Sequence, residues 1–308
     1  MPSNQPEDTP VRGIFFLLGG VVIFSTQDVL IKYLSNGYPL LEIMFVRSVS
    51  AIVPSLVLVH FDSGIKSLKT KRLGAHLLRS TLLFLSYIFY YMGIAALPLA
   101  DVVALFYTTP FFITVLSIIV LYERVTLNQW ASLLTGFIGV LIIVSPGFGI
   151  IHAAAILPIL AALTYSFATL ITRHTANSES ASVMGFSLVI YSLFMSGGLG
   201  LLMKNGLVMS QSHPGLVFMT RAWIFPPVRD LGIMIGIGML ISIGSYCLAQ
   251  AYRVAKSSTI TPFEYTGMVP AVVCGFVFWN EIPSSTTLIG ILCIIGSGLY
   301  LIRIQTRH

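Results

Sequence analysis

The stretch Ala100–Tyr122, ADVVALFYTTPFFITVLSIIVLY, carries a single charge, Asp101, and is followed at once by Glu123. A hydrocarbon core about 30 Å thick takes roughly 20 apolar residues per helical crossing, so this stretch reads as a complete span. Pro110 and the pair Tyr107-Thr108 lie near its middle. Shifted by 158 positions it falls on Ser258–Asn280, one residue on from the apolar run Ser257–Trp279, SSTITPFEYTGMVPAVVCGFVFW. Tyr107-Thr108 then lands on Tyr265-Thr266 and Glu123 on Glu281, each glutamate 16 positions after its tyrosine. Val115 meets Val273 and Leu134 meets Leu292, while Ser25 and Lys32 of an early span match Ser166 and Arg173 more loosely.

Eight more runs of the same kind fill the chain: Gly13–Lys32, Pro39–Val59, Leu73–Leu97, Leu127–Val144, Ile150–Thr172, Ala181–Met203, Leu231–Tyr252 and Ser284–Ile302. The sequence is 56% hydrophobic and 9% charged, with a mean hydropathy of +0.90; soluble domains carry about 25% charged residues. The expected fold is an all-α integral membrane protein with ten transmembrane helices arranged as two inverted five-helix repeats. A five-span unit crosses an odd number of times, so its second copy inserts upside down. The units are residues 13–147 and 148–303, with cytoplasmic tails at 1–12 and 304–308. Met1–Pro10 is polar and acidic and the first apolar run is long enough to remain a span, so no cleavable leader is expected.

The Lys and Arg positions set the orientation. With the N-terminus inside, 11 of the 17 fall on the cytoplasmic side, including the cluster Lys66, Lys69, Lys71 and Arg72. Four fall outside and two, Arg47 and Arg79, within spans. This asymmetry predicts cytoplasmic termini and explains the net charge of +6 without nucleic acid. The segment Lys204–Asp230, broken by Pro214, Pro226 and Pro227, reads as an outer loop lying partly in the interface. Cys247, Cys274 and Cys293 all fall in spans and read as packing residues, neither disulfides nor metal ligands.

The chain resembles the drug/metabolite transporter superfamily, in particular its EamA family, over about residues 13–303. The likeness rests on the ten short spans and on Phe24-Ser25-Thr26-Gln27-Asp28-Val29-Leu30-Ile31-Lys32. It rests also on the paired Tyr122-Glu123-Arg124 and Asn280-Glu281-Ile282-Pro283, and on glycine-rich fifth and tenth spans. The resemblance implies a central cavity lined by the first, third and fourth helices of each half. It sets the fifth and tenth helices apart, for packing or a homodimer contact, and places the protein in a bacterial inner membrane. Family substrates range over amino acids, nucleobase-like compounds, vitamins and other small metabolites, moved in either direction.

A charge within a span is costly and therefore a functional candidate. Glu264, in Thr261-Pro262-Phe263-Glu264-Tyr265, is the foremost, a candidate for proton exchange or for binding a substrate amine. Arg79, with Ser86, Tyr87 and Tyr90 further along its helix, either holds a substrate carboxylate or snorkels to headgroups. Arg47, mid-span, is expected to take Glu42 or a cavity acid as structural partner. Asp28 sits four residues from Lys32, which can neutralise it; with Ser25 and Gln27 it otherwise gives the first span a polar face. Asp101 reads as a first-turn acid, and Glu123 and Glu281 as interhelical partners or gates. Phe84, Tyr87, Tyr90, Tyr91, Phe106, Tyr107, Tyr165, Tyr246, Phe263 and Tyr265 suggest aromatic walls for a planar or cationic solute. Pro110, Pro262 and Pro270 interrupt matching helices of the two halves, the best sequence pointer to a transporter's site. Gly232-Ile233-Met234-Ile235-Gly236 matches a close-packing motif.

The expected substrate-binding set is Glu264, Tyr265, Tyr107, Tyr87, Tyr90, Asp28, Arg79, Phe263 and Tyr165. The expected function is secondary transport of a small amphipathic metabolite by alternating access, with proton coupling through Glu264, lipid around it and no cofactor. A lipid flippase or a passive channel is the alternative. An intramembrane enzyme is the remote one: Gly185-Phe186-Ser187 resembles a G-x-S element, but no histidine lies deep in a later span, and neither H-E-x-x-H nor a phosphate-cradling loop occurs.

Overall fold

The computed structural model describes residues 9–70, 72–97, 99–144, 153–176, 178–203, 214–270, 273, 277 and 285–305. Every regular element among them is helical. In chain order they are α1 (Pro10–Ser35), α2 (Leu40–Asp62), α3 (Leu73–Ala96), α4 (Leu99–Phe106), α5 (Thr109–Leu121) and α6 (Leu127–Val144). There follow α7 (Ile156–His174), α8 (Ala181–Met203), α9 (Pro214–Thr220), α10 (Val228–Val254), α11 (Ser257–Ile260) and α12 (Ser285–Gln305). Of these, α1, α2, α3, α7, α8 and α10 are long and apolar enough to cross a membrane. The chain is an integral membrane protein.

Two interruptions position the site. The run from Ala100 to Tyr122 is two helices, not one, because α4 stops at Phe106 and α5 restarts at Thr109. Pro110 has no N–H to give to the Phe106 carbonyl, which Thr109 Oγ1 takes instead at 2.5 Å, while the Leu105 carbonyl accepts the Thr108 amide at 3.2 Å and its hydroxyl at 2.8 Å. In the matching stretch, Thr261–Gly267 winds as a 3-10 helix with Pro262 in its first turn. Seven residues is long for that geometry, which recurs at functional hinges.

The long helices pack in pairs: α1 against α10, α3 against α7, α2 against α8 and α10, and α6 against α12. Where α6 meets α12, a side chain on Gly139 would strike the Gly290 carbonyl and Cys293, so the backbones can approach only through glycine. The Gly232 and Gly236 pair, expected to mark helix contact, instead faces open space. Close approach on α10 falls to Gly238, against Ser50 and the Arg47 carbonyl. The prediction had the right helix and the wrong face. Cys247 and Cys293 are free thiols; Cys274 is outside the described residues.

The segment after α8 docks on the helix ends. Phe218 is buried in a core cluster with Met92, Ile94 and Val102. Trp223 packs on Phe45 with ring centroids 5.5 Å apart. Arg221 Nη1 donates to the Asn36 carbonyl at 3.1 Å. Tyr38 donates to Asp230 Oδ2 at 2.6 Å, a bond that pushes its phenol up to about 12 and keeps it a donor. Phe225 and Val228 stay exposed.

Candidate functional site

An interior cavity of about 130 Å³ opens among α1, α3, α4, α7, α10 and the Thr261–Gly267 turn. Two acids line it, Asp28 from α1 and Glu264 from the turn, along with Ser25 and Ser86. Each acid is gripped by two phenols. Tyr90 donates to Asp28 Oδ2 at 3.1 Å and Tyr91 to Oδ1 at 3.5 Å. Tyr165 donates to Glu264 Oε1 at 3.3 Å, and Tyr252 donates to the same oxygen. Oε2 of Glu264 has no bond among the described residues. Buried polar groups are costly unless paired, and here the pairing comes from hydroxyls that a ligand can displace without breaking a fixed ion pair.

A run of rings joins the two acids. Tyr165 meets Phe106 at 5.7 Å between centroids, Phe106 meets Tyr90 at 4.9 Å, Tyr90 meets Tyr91 at 5.5 Å, and Tyr91 stacks on Tyr87 at 6.2 Å. Behind the last pair stands Arg47, its guanidinium 4.9 Å from the Tyr87 ring centre and 5.9 Å from that of Tyr91. The cavity is therefore acidic at two points and aromatic between them. That combination suits a flat or cationic organic group.

Of the nine residues expected at the site, Glu264, Tyr107, Tyr87, Tyr90, Asp28 and Tyr165 line this cavity. Three stand behind it. Phe263 points into the cluster of Ile14, Leu17 and Ile113. Tyr265 packs against Tyr107 and Phe137. Arg79 lies beside a smaller void, 5% exposed, with Nε donating to Thr172 Oγ1 at 2.6 Å and Nη1 to the Met184 carbonyl at 3.0 Å. It does not snorkel. Tyr252 was absent from the expected set; its link to Glu264 runs across the α10–α11 turn and left no spacing signal.

Arg47 does not pair with Glu42, whose carboxylate accepts the Ile224 amide at 3.0 Å. Glu123 lies 3.7 Å from Arg173 Nε and accepts the Ser257 amide at 3.4 Å, so it links the end of α5 to α7 and α11. Glu281 and the side chain of Asp101 are outside the described residues. His76 sits early in α3, where Nδ1 is 3.1 Å from Ser187 Oγ and Nε2 is 3.1 Å from Glu179. The trio has the composition of a hydrolase triad without its geometry. Ser187 donates its hydrogen to the Met184 carbonyl at 2.9 Å and so has none aimed at the ring, and none of the three lines the cavity.

Comparison with known proteins agrees with these features. The model of the EamA-like transporter family matches residues 11–145. A riboflavin transporter of Brucella anthropi is 30% identical over 269 residues, 87% of this chain and 89% of that protein. An S-adenosylmethionine uptake transporter of Rickettsia prowazekii is 25% identical over 97% of this chain and 95% of its own length. A solved crystal structure, 16% identical, superposes with a TM-score of 0.76 over 96% of this chain and 98% of its own. Helices broken around a cavity of acids and rings, over a sequence matched nearly end to end by transporters, place this chain in the EamA-like transporter family.

Proposed function

We propose that this protein is a secondary transporter for a small heterocyclic metabolite bearing a cationic or hydrogen-bond-donating group. The observation that carries the reading is the cavity with Asp28 and Glu264 at two points of its wall and an aromatic run between them. Rings offer π-faces to a flat solute, the acids offer anchor points for its amine or cation, and relatives named for riboflavin and S-adenosylmethionine move molecules of that general form. A discrete aromatic-walled site speaks for a carrier over a pore, whose selectivity rests on rings of charges or carbonyls along a path.

The mechanism proposed is alternating access by two inverted five-helix units, residues 13–147 and 148–303, with ten crossings and cytoplasmic termini in a bacterial inner membrane. The packing supports the symmetry. Exchanging the first five spans for the second five turns the α1–α10 pair into the α7–α3 pair, and leaves α2–α8 and α6–α12 each mapped onto itself. Rocking of the units about the cavity breaks contacts between halves at one end at a time, and the Glu123–Arg173 contact is one of them. Glu264, held among the described residues by two phenols, is the residue proposed to exchange a proton for substrate.

The test is the melting temperature of the detergent-purified protein against a metabolite panel that includes riboflavin and S-adenosylmethionine, at two pH values. A ligand at a hundredfold its Kd stabilises by about 2.7 kcal/mol. A selective rise that differs between the two pH values and is lost in Glu264→Gln supports the reading. A rise retained in Glu264→Gln removes that residue from the site.

A further inference from the structure

A second void, of about 20 Å³, adjoins the main cavity. It shares Phe24, Tyr87, Tyr165 and Leu248 with the main cavity but is displaced toward the start of α3 and the ends of α7 and α10. Its polar lining is Arg79, Thr169, Thr172, Ser245 and Tyr252. Among the described residues no carboxylate lies within ion-pair distance of Arg79, whose hydrogen bonds go to a hydroxyl and a carbonyl. Those two bonds use two of its five N–H groups. A guanidinium buried among neutral partners is costly. Ser245 Oγ, 4% exposed, faces the Tyr87 phenol without a well-formed hydrogen bond.

The wall between the two spaces is the acid–phenol cluster. Glu264 lines the main cavity, Tyr252 lines the void and Tyr165 lines both, and the two phenols meet at Glu264 Oε1. We propose that the void is the receptor for the carboxylate of a zwitterionic substrate. The substrate's ammonium is held at Glu264, its carboxylate by Arg79 and Ser245, and its flat remainder by the rings of the main cavity. The void as it stands has room for about one water molecule, so a carboxylate enters only when the phenols leave Glu264. An arriving ammonium makes the stronger, charge-assisted bond to that oxygen and so displaces them. Binding of the cationic end thereby opens the space for the anionic end.

This inference rests on the transporter reading and narrows it, because it selects heterocycles with an amino-acid-like end over neutral ones. The experiment is isothermal titration of the full-length purified protein with three probes: S-adenosylmethionine, its decarboxylated analogue and riboflavin. The decarboxylated analogue lacks only the carboxylate. The expected result is that S-adenosylmethionine binds about tenfold or more tighter than that analogue. Arg79→Gln should bring the ratio of the two affinities close to one, and Ser245→Ala should reduce that ratio several-fold. If Arg79→Gln does not fold, the two probes on the wild type and on Ser245→Ala still decide. Equal affinity for the pair overturns the proposal. Riboflavin binding without S-adenosylmethionine binding also overturns it and leaves the transporter reading standing, whereas binding of none of the three sinks both.

Discussion

Tyr107 and Tyr265, both buried, meet edge to face, their ring centroids 5.8 Å apart and their planes at 70°. The 158-residue shift that aligns the two proposed units pairs them. Each sits where its helix departs from regular α geometry, Tyr107 in the gap between α4 and α5 and Tyr265 in the Thr261–Gly267 turn. Equivalent residues of two units can touch where they lie near the axis relating the units, so this contact is consistent with the proposed inverted repeat.

The Tyr265 hydroxyl is buried with no partner among the described residues, while its ring packs against Tyr107, Phe137 and the surface left by Gly136. Tyr265→Phe therefore keeps or raises the melting temperature, since it removes an unpaired polar group. Tyr265→Ala lowers stability by about 3–5 kcal/mol through the cavity it leaves. A Phe variant as damaged as the Ala variant would show that the hydroxyl is bonded.

Glu264 and its two neighbours explain how much of the site was legible. The charge in an apolar run marked Glu264, and Asp28 was found by the same signal. Phe263 and Tyr265 were expected to share its cavity because they adjoin it in sequence. In a 3-10 turn successive residues point about 120° apart, so the three side chains diverge: Glu264 to the cavity, Phe263 to the α1 and α5 side, Tyr265 toward α6. Hydropathy located the six long membrane helices among the described residues. It could not locate the break at Tyr107, nor Tyr252, whose approach to Glu264 depends on how α10 folds back.

Tyr252→Phe and Tyr165→Phe each remove one donor to Glu264. A hydrogen bond to a charged group contributes about 1.5–3 kcal/mol, so each variant is expected to change the affinity for a substrate amine by roughly tenfold. Titration of purified variants measures this. Identical affinities across wild type and both variants would separate the phenols from the binding step.

The connection between α7 and α8 is stapled at Glu179. Its carboxylate accepts Thr70 Oγ1 at 2.5 Å and lies 3.1 Å from His76 Nε2, while Arg253 Nε donates to the carbonyls of Ala176 and Glu179 at 3.0 and 3.1 Å. Glu179→Ala leaves His76 buried beside a hole and is predicted to cost about 3 kcal/mol. Glu179→Gln, which keeps an acceptor for Thr70, costs roughly half of that. Chemical or thermal unfolding in detergent ranks the two, and the reverse order contradicts the assignment.

Glu123 is held between Arg173 and the Ser257 amide. If this contact holds one end of the cavity shut, Glu123→Ala should speed thiol labelling of a cysteine placed at Thr172, which lines the smaller void. A several-fold gain in labelling rate is expected, and an unchanged rate would make the contact purely structural.

The central claim is that the cavity around Glu264 carries a heterocyclic metabolite across the membrane. Uptake of labelled S-adenosylmethionine and riboflavin into proteoliposomes, wild type beside Glu264→Gln, tests it most directly. The account predicts saturable uptake of one of them that falls about tenfold or more in the variant, with the same amount of folded protein inserted. Equal uptake by the two proteins, or uptake that never saturates, would contradict it.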